Sequence, residues 1–250
     1  MSIPIYLTYY VLGGAVVTVI ASLFGLRAAI SKSDWPSSTK SRILTISSFV
    51  LVAWFVASVL LALMGVYQGA TNRLPTIQYG IFIPILIGGL LIWRSPAVAR
   101  LIDAIPQHWL VGVQVNRLMG VIFLVLYATG NAPGPFAWPA GLGDFLVGAL
   151  APIIAISYFR NPRENGDLVT AWNCLGLLDL TVAIITGFLT SASPLQAFSF
   201  DLPNRLIDVF PLVLIPTFLV PLCYLLHFAS LAKLHRTENQ KKELAASFMV

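Results

Sequence analysis

The strongest constraint on this chain is a series of seven apolar runs, each long enough to cross a lipid bilayer. A helix of about 20 apolar residues spans the hydrocarbon core, and within lipid it satisfies its backbone N–H and C=O groups internally. The runs are too continuous for the alternating strands of a barrel. They cover residues 6–29, 43–66, 77–93, 111–129, 142–159, 168–189 and 207–231, and a charged tail follows at 233–250. The sequence therefore predicts an all-α integral membrane protein in which seven helices form a single domain.

The charged residues are too few, and the loops too short, for a soluble module. Asp, Glu, Lys and Arg make up 10% of the chain, against about 25% in soluble proteins, and no loop approaches the ~50 residues of a small domain. Soluble catalytic, nucleotide-binding and nucleic-acid-binding domains are therefore excluded. Basic loops beside an anionic leaflet explain the net charge of +5. The expected partners are membrane lipids and an unknown small solute or lipophilic ligand, and a homo-oligomer is an open alternative.

The distribution of basic residues predicts the orientation of the helices. Of the 15 Lys and Arg residues, Arg73 and Arg205 fall on the side where the chain begins, and the other 13 fall toward the opposite side. By the positive-inside rule the N-terminus is outside and the C-terminal tail is cytoplasmic. The first run has no basic residue ahead of it, which favours a retained anchor over a cleaved signal peptide. We expect a multi-pass protein of the plasma (inner) membrane.

A short internal similarity links the third and seventh spans. The triplet Asn-Arg-Leu stands at 72–74 and again at 204–206, and Ile-Pro follows at 83–84 and 215–216 with the same offset. A third such triplet, at 116–118, has no downstream Ile-Pro. If the spans are copies, spans 1–3 and 5–7 form parallel repeats around the fourth span. This 3+1+3 plan resembles the architecture of SWEET sugar transporters, PQ-loop transporters and seven-helix opsins; the resemblance is one of architecture, so it implies no functional residues.

Asp179 is the ionisable residue nearest the centre of a predicted span. It lies about 16 Å into the bilayer, where a charge costs about 2.5–3.5 kcal/mol on insertion scales. It shares a helix face with Trp172 and Gly176, and Asn173 stands on an adjoining face. Arg117, about two turns into the fourth span, is the expected partner of Asp179. The pair has two interpretations, a proton- or ion-responsive switch and a structural lock between the fourth and sixth spans.

A second carboxylate, Asp144, enters the membrane from the opposite side, near the predicted start of the fifth span. It belongs to a face of small residues that suits either close helix packing or room for a ligand; this face comprises Gly141, Asp144, Gly148, Ala151 and Ala155. We expect its neighbours to be polar residues at the starts of the third and seventh spans, namely Arg73, Gln78, Arg205 and Asp208. Together they would form an outward-facing vestibule, and solvated loop-end charges are the alternative.

Three prolines, Pro211, Pro216 and Pro221, stand in the seventh span. Each removes a backbone donor, so this helix is expected to be kinked or locally unwound. Pro84 and Pro152 predict similar irregularities in the third and fifth spans. Unwound backbone within a membrane must line a cavity or pack on protein, which makes the third and seventh helices candidates for motion or ligand lining.

These features favour a small transporter or channel-like permease with an interior polar pathway through Asp144 and Asp179. Two other classes stay open: a non-transporting sensor, receptor or accessory subunit that binds a lipid, pigment or partner, and an intramembrane enzyme or redox carrier. The last class would use the aspartates as acid and base, or His108 and His227 as haem ligands. The sequence has no catalytic or metal-binding motif, so enzymatic activity is less favoured than its absence. We expect no metal site and, apart from this haem hypothesis, no cofactor.

Overall fold

The computed structural model of the protein describes residues 4–69, 71–72 and 74–247. Within these residues all regular structure is helical, and seven helices are long and apolar enough to span a membrane, which confirms the predicted fold class. They are α1 (Ile5–Ser31), α2 (Ser37–Leu63), α3 (Ile77–Arg94), α4 (Gln107–Ala128), α5 (Gly134–Arg160), α6 (Gly166–Thr190) and α7, which begins as a π-helical turn (Ile215–Leu219) and continues as an α-helix (Val220–Ser247). The orientation and the internal repeat stay predictions. The end with the α2–α3, α4–α5 and α6–α7 loops is called the outer end after the predicted orientation.

Helix α5 begins earlier than the sequence predicts, at Gly134 rather than at residue 142. Pro135 is tolerated in its first turn because the N–H groups there have no partner within the helix. The helix also continues through Pro139. Asp144 therefore lies about 15 Å from the helix start, deep in the bundle rather than at its outer mouth.

The proline-rich start of α7 is irregular, as the sequence predicts, but the helix begins later than predicted. Residues 207–213 form turns, and Pro216 lies in the π-helical turn, which accommodates a residue without an N–H donor. Residues 211–214 are buried, so this non-helical backbone lies within the protein, as lipid requires. Pro84 and Pro152, by contrast, do not interrupt the helices that contain them.

Helix α4 changes its winding in the middle. It is α-helical over Gln107–Gly112, a 3₁₀-helix over Val113–Gly120, and α-helical again over Val121–Ala128. A 3₁₀ stretch of this length is uncommon and often marks a hinge or a functional segment. The 3₁₀ stretch carries Arg117, so the irregular winding coincides with the predicted polar site.

Helix α5 packs against α4 and α6 through the face of small residues that the sequence singled out. All five members of that face are buried. A Cβ added at Gly148 would lie 2.7 Å from the backbone nitrogen of Leu118 on α4, so the two helices are in backbone contact. Helices α1 and α2 lie at the periphery. Among the residues of α2, all of them described, Ser58 and Ala62 alone are buried.

A short helix, Pro96–Ala104, lies between α3 and α4 and is held by the extended end of α7. Lys233 Nζ donates a hydrogen bond to the Asp103 carbonyl at 2.9 Å. Arg236 forms a partly exposed ion pair with the Asp103 carboxylate at 2.7 Å. These contacts join α7 to the connection between α3 and α4 at the inner end of the bundle.

The contact at Gly148 predicts a strong difference between two Gly→Ala variants. Gly148→Ala should lower the free energy of unfolding by about 1–3 kcal/mol, because the new methyl group meets backbone that cannot move cheaply. Gly13→Ala in α1 is the control, since a Cβ there meets open space, and it should stay within about 0.5 kcal/mol of wild type. Unfolding of the purified protein in detergent by SDS titration measures both. Equal stability of the two variants would contradict the close α4–α5 contact.

Candidate functional site

Arg117, in the 3₁₀ part of α4, is the centre of a buried polar cluster. Its side chain is 2% exposed and donates from Nε to Asp144 Oδ1 at 2.8 Å. Its Nη2 donates to the Asp179 carboxylate, while Nη1 contacts the Gly176 carbonyl and Nε2 of His227, each at 3.2 Å. One guanidinium group thus connects α4 to α5, α6 and α7 through charge-assisted hydrogen bonds.

The hydrogen bonds of His227 fix its tautomer. Asn173 Nδ2 donates to the Val169 carbonyl and to Ser230 Oγ, both at 2.8 Å, so the amide oxygen of Asn173 is the atom that faces His227 Nδ1 at 2.8 Å. That oxygen accepts only, so Nδ1 carries the proton and Nε2 accepts from Arg117. His227 is therefore a neutral imidazole in this arrangement. The Arg117 cluster consists of Arg117, Asp144, Asn173, Asp179 and His227.

Glycines make room for this cluster between the helices. A Cβ at Gly176 would overlap the imidazole of His227, and a Cβ at Gly143 would overlap the carboxylate of Asp179. The helices can therefore approach closely enough for short side chains on α5 and α6 to reach one guanidinium group on α4. The glycine positions serve the polar contacts as well as helix packing.

The charges of the cluster do not balance when every acid is ionised. Asp144 and Asp179 bring two negative charges, Arg117 brings one positive charge, and His227 is neutral in its hydrogen-bonding role. The side chains of the two aspartates are each 10% exposed, so water screens the excess negative charge poorly. The cluster is therefore a site at which one proton or one other cation is stabilised.

A cavity opens at the outer end and extends inward to the cluster. Asp208, in the α6–α7 linker, lines its mouth, and Asp144 lines its inner end. Most of the remaining wall is apolar or aromatic, including Tyr67, Ile81, Phe123, Phe136 and Phe188. This outer cavity is the place where a ligand could contact the buried cluster from the outer end of the bundle.

Asp208 is held at the mouth of the outer cavity by the backbone. Its Oδ2 accepts a hydrogen bond from the Gly69 N–H at 2.6 Å. Burial raises the pKa of the Asp208 carboxyl above its usual value, although the Gly69 N–H and the charge of Arg205 act in the opposite direction. The side chain is thus a partly desolvated acceptor rather than a freely solvated loop charge.

Two further spaces continue beyond the cluster. A small inner cavity is lined by Asn116, Arg117, Asp144 and Cys223. A groove between α1 and α4 shares Asn116 and Met119 with that cavity. Asp144 lines both the outer and the inner cavity, and Asn116 lines both the inner cavity and the groove. A polar residue therefore lies between the two cavities and another lies between the inner cavity and the groove.

The structure brings together four of the eight predicted site residues and separates the others. Asp179, Arg117, Asp144 and Asn173 belong to the cluster, whereas Asp208 joins Asp144 only through the outer cavity. Of the other residues predicted around Asp144, Arg205 is exposed, and Gln78 is half-buried and makes no hydrogen bond with described residues; Arg73 lies outside the described residues. For Arg205 and Gln78 the prediction that they directly surround Asp144 is wrong, because the longer α5 places Asp144 against Arg117.

His227 is the member of the Arg117 cluster that the sequence pattern did not predict as part of the polar site. The predicted seventh span, 207–231, has His227 close to its inner end, whereas α7 begins at Ile215 and continues to Ser247, and His227 is fully buried. Both of its ring nitrogens are engaged within the cluster. His108 instead packs against Phe159, with ring centroids 4.8 Å apart, so the geometry does not support the hypothesis of a bis-histidine haem site.

A comparison with known protein families adds one finding. A family model described as "Domain of unknown function (DUF8737)" matches residues 74–235, which is more than half of the chain. The matched region runs from the start of α3 into the inner part of α7 and contains every residue of the Arg117 cluster. No curated protein and no solved structure matches the chain.

The unbalanced cluster predicts non-additive effects on stability. Arg117→Gln should lower the free energy of unfolding by about 3–5 kcal/mol, because it removes the only positive charge that the two buried aspartates share. Adding Asp144→Asn and Asp179→Asn to that variant should restore part of the loss, because no buried charge then remains unpaired. SDS titration in mixed micelles measures the three proteins.

The exposed ion pair between Arg236 and Asp103 provides the matched control for this series. Arg236→Gln should cost about 0.2–1 kcal/mol, since solvent already screens that pair. If the triple variant is less stable than Arg117→Gln alone, the two aspartates are not held as charges by Arg117.

Proposed function

The chain belongs to the DUF8737 family, and from the geometry of its site we propose that it is a small seven-helix membrane transporter, or channel-like permease. Its solute pathway enters through the outer cavity and passes the Arg117 cluster. The cluster binds and releases a proton as the solute passes, so transport is coupled to protons.

The observation that carries this proposal is the position of Asp144 between two cavities. Asp144 lines both the outer cavity and the inner cavity, and its Oδ1 accepts a hydrogen bond from Arg117. A change in this one ion pair therefore alters the wall of both cavities. A residue that served only to lock two helices together would not need to face empty space on both sides.

Proton coupling follows from the charge count of the cluster. Two carboxylates share one guanidinium group in a poorly hydrated site, which favours retention of one proton. A proton that binds to Asp179 weakens its attraction to Arg117 and leaves that side chain free to pair with Asp144 alone. Protonation thus selects between two pairings of the same arginine.

The irregular helices supply elements that can move. Arg117 stands on the 3₁₀ stretch of α4, and Ile215 and Leu219 from the π-helical turn of α7 line the inner cavity. Non-α winding marks places where the backbone can rearrange at a low cost. The two irregular stretches stand on either side of the junction that a solute must cross.

A receptor that binds a ligand without moving it is the second candidate. Arg117 holds contacts with four residues on three other helices, and these contacts separate the outer cavity from the inner one. If the contacts persist when the outer cavity is occupied, the protein is a sensor with an outer binding site. Measurement of flux separates this candidate from a transporter.

Uptake into proteoliposomes tests the proposal with three small, poorly permeant solutes that differ in charge, tetramethylammonium, erythritol and methanesulfonate. Wild-type protein should take up at least one of them above protein-free vesicles and shift the signal of an internal pH dye. Asp179→Asn should reduce that uptake at least tenfold, because the cluster can no longer exchange its proton at that position. Elution profile and thermal stability should remain close to those of wild type.

Asp34→Asn is the matched control, because Asp34 is an exposed residue of the α1–α2 loop, and it should transport like wild type. Uptake by Asp179→Asn equal to wild type would remove Asp179 from the coupling step. If none of the three solutes enters and none moves the internal pH, transport is contradicted. Specific binding without entry would then favour the receptor.

A further inference from the structure

The two charged residues among the described lining of the outer cavity share one sign. Asp208 at the mouth and Asp144 at the inner end both face the cavity, and none of its described lining residues is Lys or Arg. Arg205 is the basic residue near Asp208, but its side chain is exposed, and no ion pair within 4 Å joins it to Asp208 among the described residues. A cavity with this lining attracts positive charge and repels anions.

The remaining wall of the cavity favours a cation with an apolar surface. Phe123 and Phe136 form an edge-to-face pair with ring centroids 4.9 Å apart, and Phe188 and Tyr67 add two further rings to the lining. The faces of aromatic rings attract ammonium groups that have lost part of their hydration. A strongly hydrated metal ion would need several oxygen ligands, and the described residues contain no group of three His, Cys, Asp or Glu side chains that could hold one.

The size of the cavity limits the ligand. Its volume is about 60 Å³, a few times the roughly 10–15 Å³ that a cavity needs to hold one water molecule. This volume limits the ligand to a small molecule. Small methylated ammonium ions match this size, charge and apolar surface.

From these observations we propose that the outer cavity is a binding site for a small organic cation of the methylated ammonium type. Asp208 attracts the cation at the mouth, aromatic rings surround its methyl groups, and Asp144 receives its charge at the inner end. The bound cation then supplies the positive charge that the Arg117 cluster lacks, so it competes with the proton that otherwise neutralises the cluster. The competition with the proton rests on the transport function proposed above, whereas the binding site itself does not.

Binding of tetramethylammonium to the purified full-length chain tests this proposal directly. The melting temperature in detergent, at constant ionic strength, should rise with tetramethylammonium concentration, because a ligand that binds the folded state stabilises it. tert-Butanol, a neutral molecule with the same number of non-hydrogen atoms, and methanesulfonate should bind at least tenfold more weakly. Equal effects of tetramethylammonium and tert-butanol would overturn the requirement for positive charge.

Two pairs of variants locate the site. Asp208→Asn should weaken tetramethylammonium binding at least tenfold, whereas Asp201→Asn, an exposed acid in the same linker, should bind like wild type. Ala183→Leu places a larger side chain in the cavity wall and should abolish binding, with Ala53→Leu on the exposed surface of α2 as its control. Wild-type affinity in both Asp208→Asn and Ala183→Leu would place the cation elsewhere and overturn the proposal, and the second variant decides the matter if the first does not fold.

The binding and uptake measurements separate this inference from the transport proposal. Binding of tetramethylammonium that depends on Asp208 but occurs without uptake supports the cation site and contradicts transport. Uptake of erythritol or methanesulfonate without tetramethylammonium binding supports transport and overturns the cation site. Uptake of tetramethylammonium that is lost in both Asp179→Asn and Asp208→Asn supports both proposals.

Discussion

The interior of this protein is organised by one guanidinium group that holds two carboxylates in an environment with little water. Charges at such depth are costly unless they are paired and hydrogen-bonded, so the pairing determines which helices must be neighbours. Arg117 on α4 contacts one side chain from each of α5, α6 and α7. The glycines of α5 and α6 permit the approach that these contacts need. Helices α1 and α2 take no part in the cluster, and α2 buries little of its surface.

The apolar runs were enough to predict the fold class, and the cost of a buried charge was enough to predict the pair of Asp179 and Arg117. The spacing of small residues also identified the buried face of α5. The predicted starts of α5 and α7 are wrong, because proline can mark a loop, a first helical turn or a π-helical turn. The first error placed Asp144 at the outer mouth, and the second placed His227 at the inner boundary. Both errors concern how far along a helix a residue stands, which hydropathy alone does not determine.

Irregular backbone, empty space and buried charge occur in the same part of the molecule. The 3₁₀ stretch of α4 carries Arg117, and the π-helical turn of α7 borders both the outer and the inner cavity. Regular α-helices that face lipid have their backbone groups satisfied internally, so departures from that winding are tolerated where protein or a polar cavity surrounds them. The family match covers the helices that contain these features and starts after α2. The Arg117 cluster and both irregular stretches therefore lie within the matched region.

The fixed tautomer of His227 imposes an order of events. Its Nδ1 proton is committed to Asn173, and its Nε2 lone pair is occupied by Arg117, so a second proton has no vacant position on the ring while that contact lasts. His227 becomes basic toward solvent only after the arginine has withdrawn from it. The imidazole therefore offers no free ring nitrogen to a second proton in this arrangement. Any proton transfer through this ring requires that the contact between Arg117 and Nε2 be broken first.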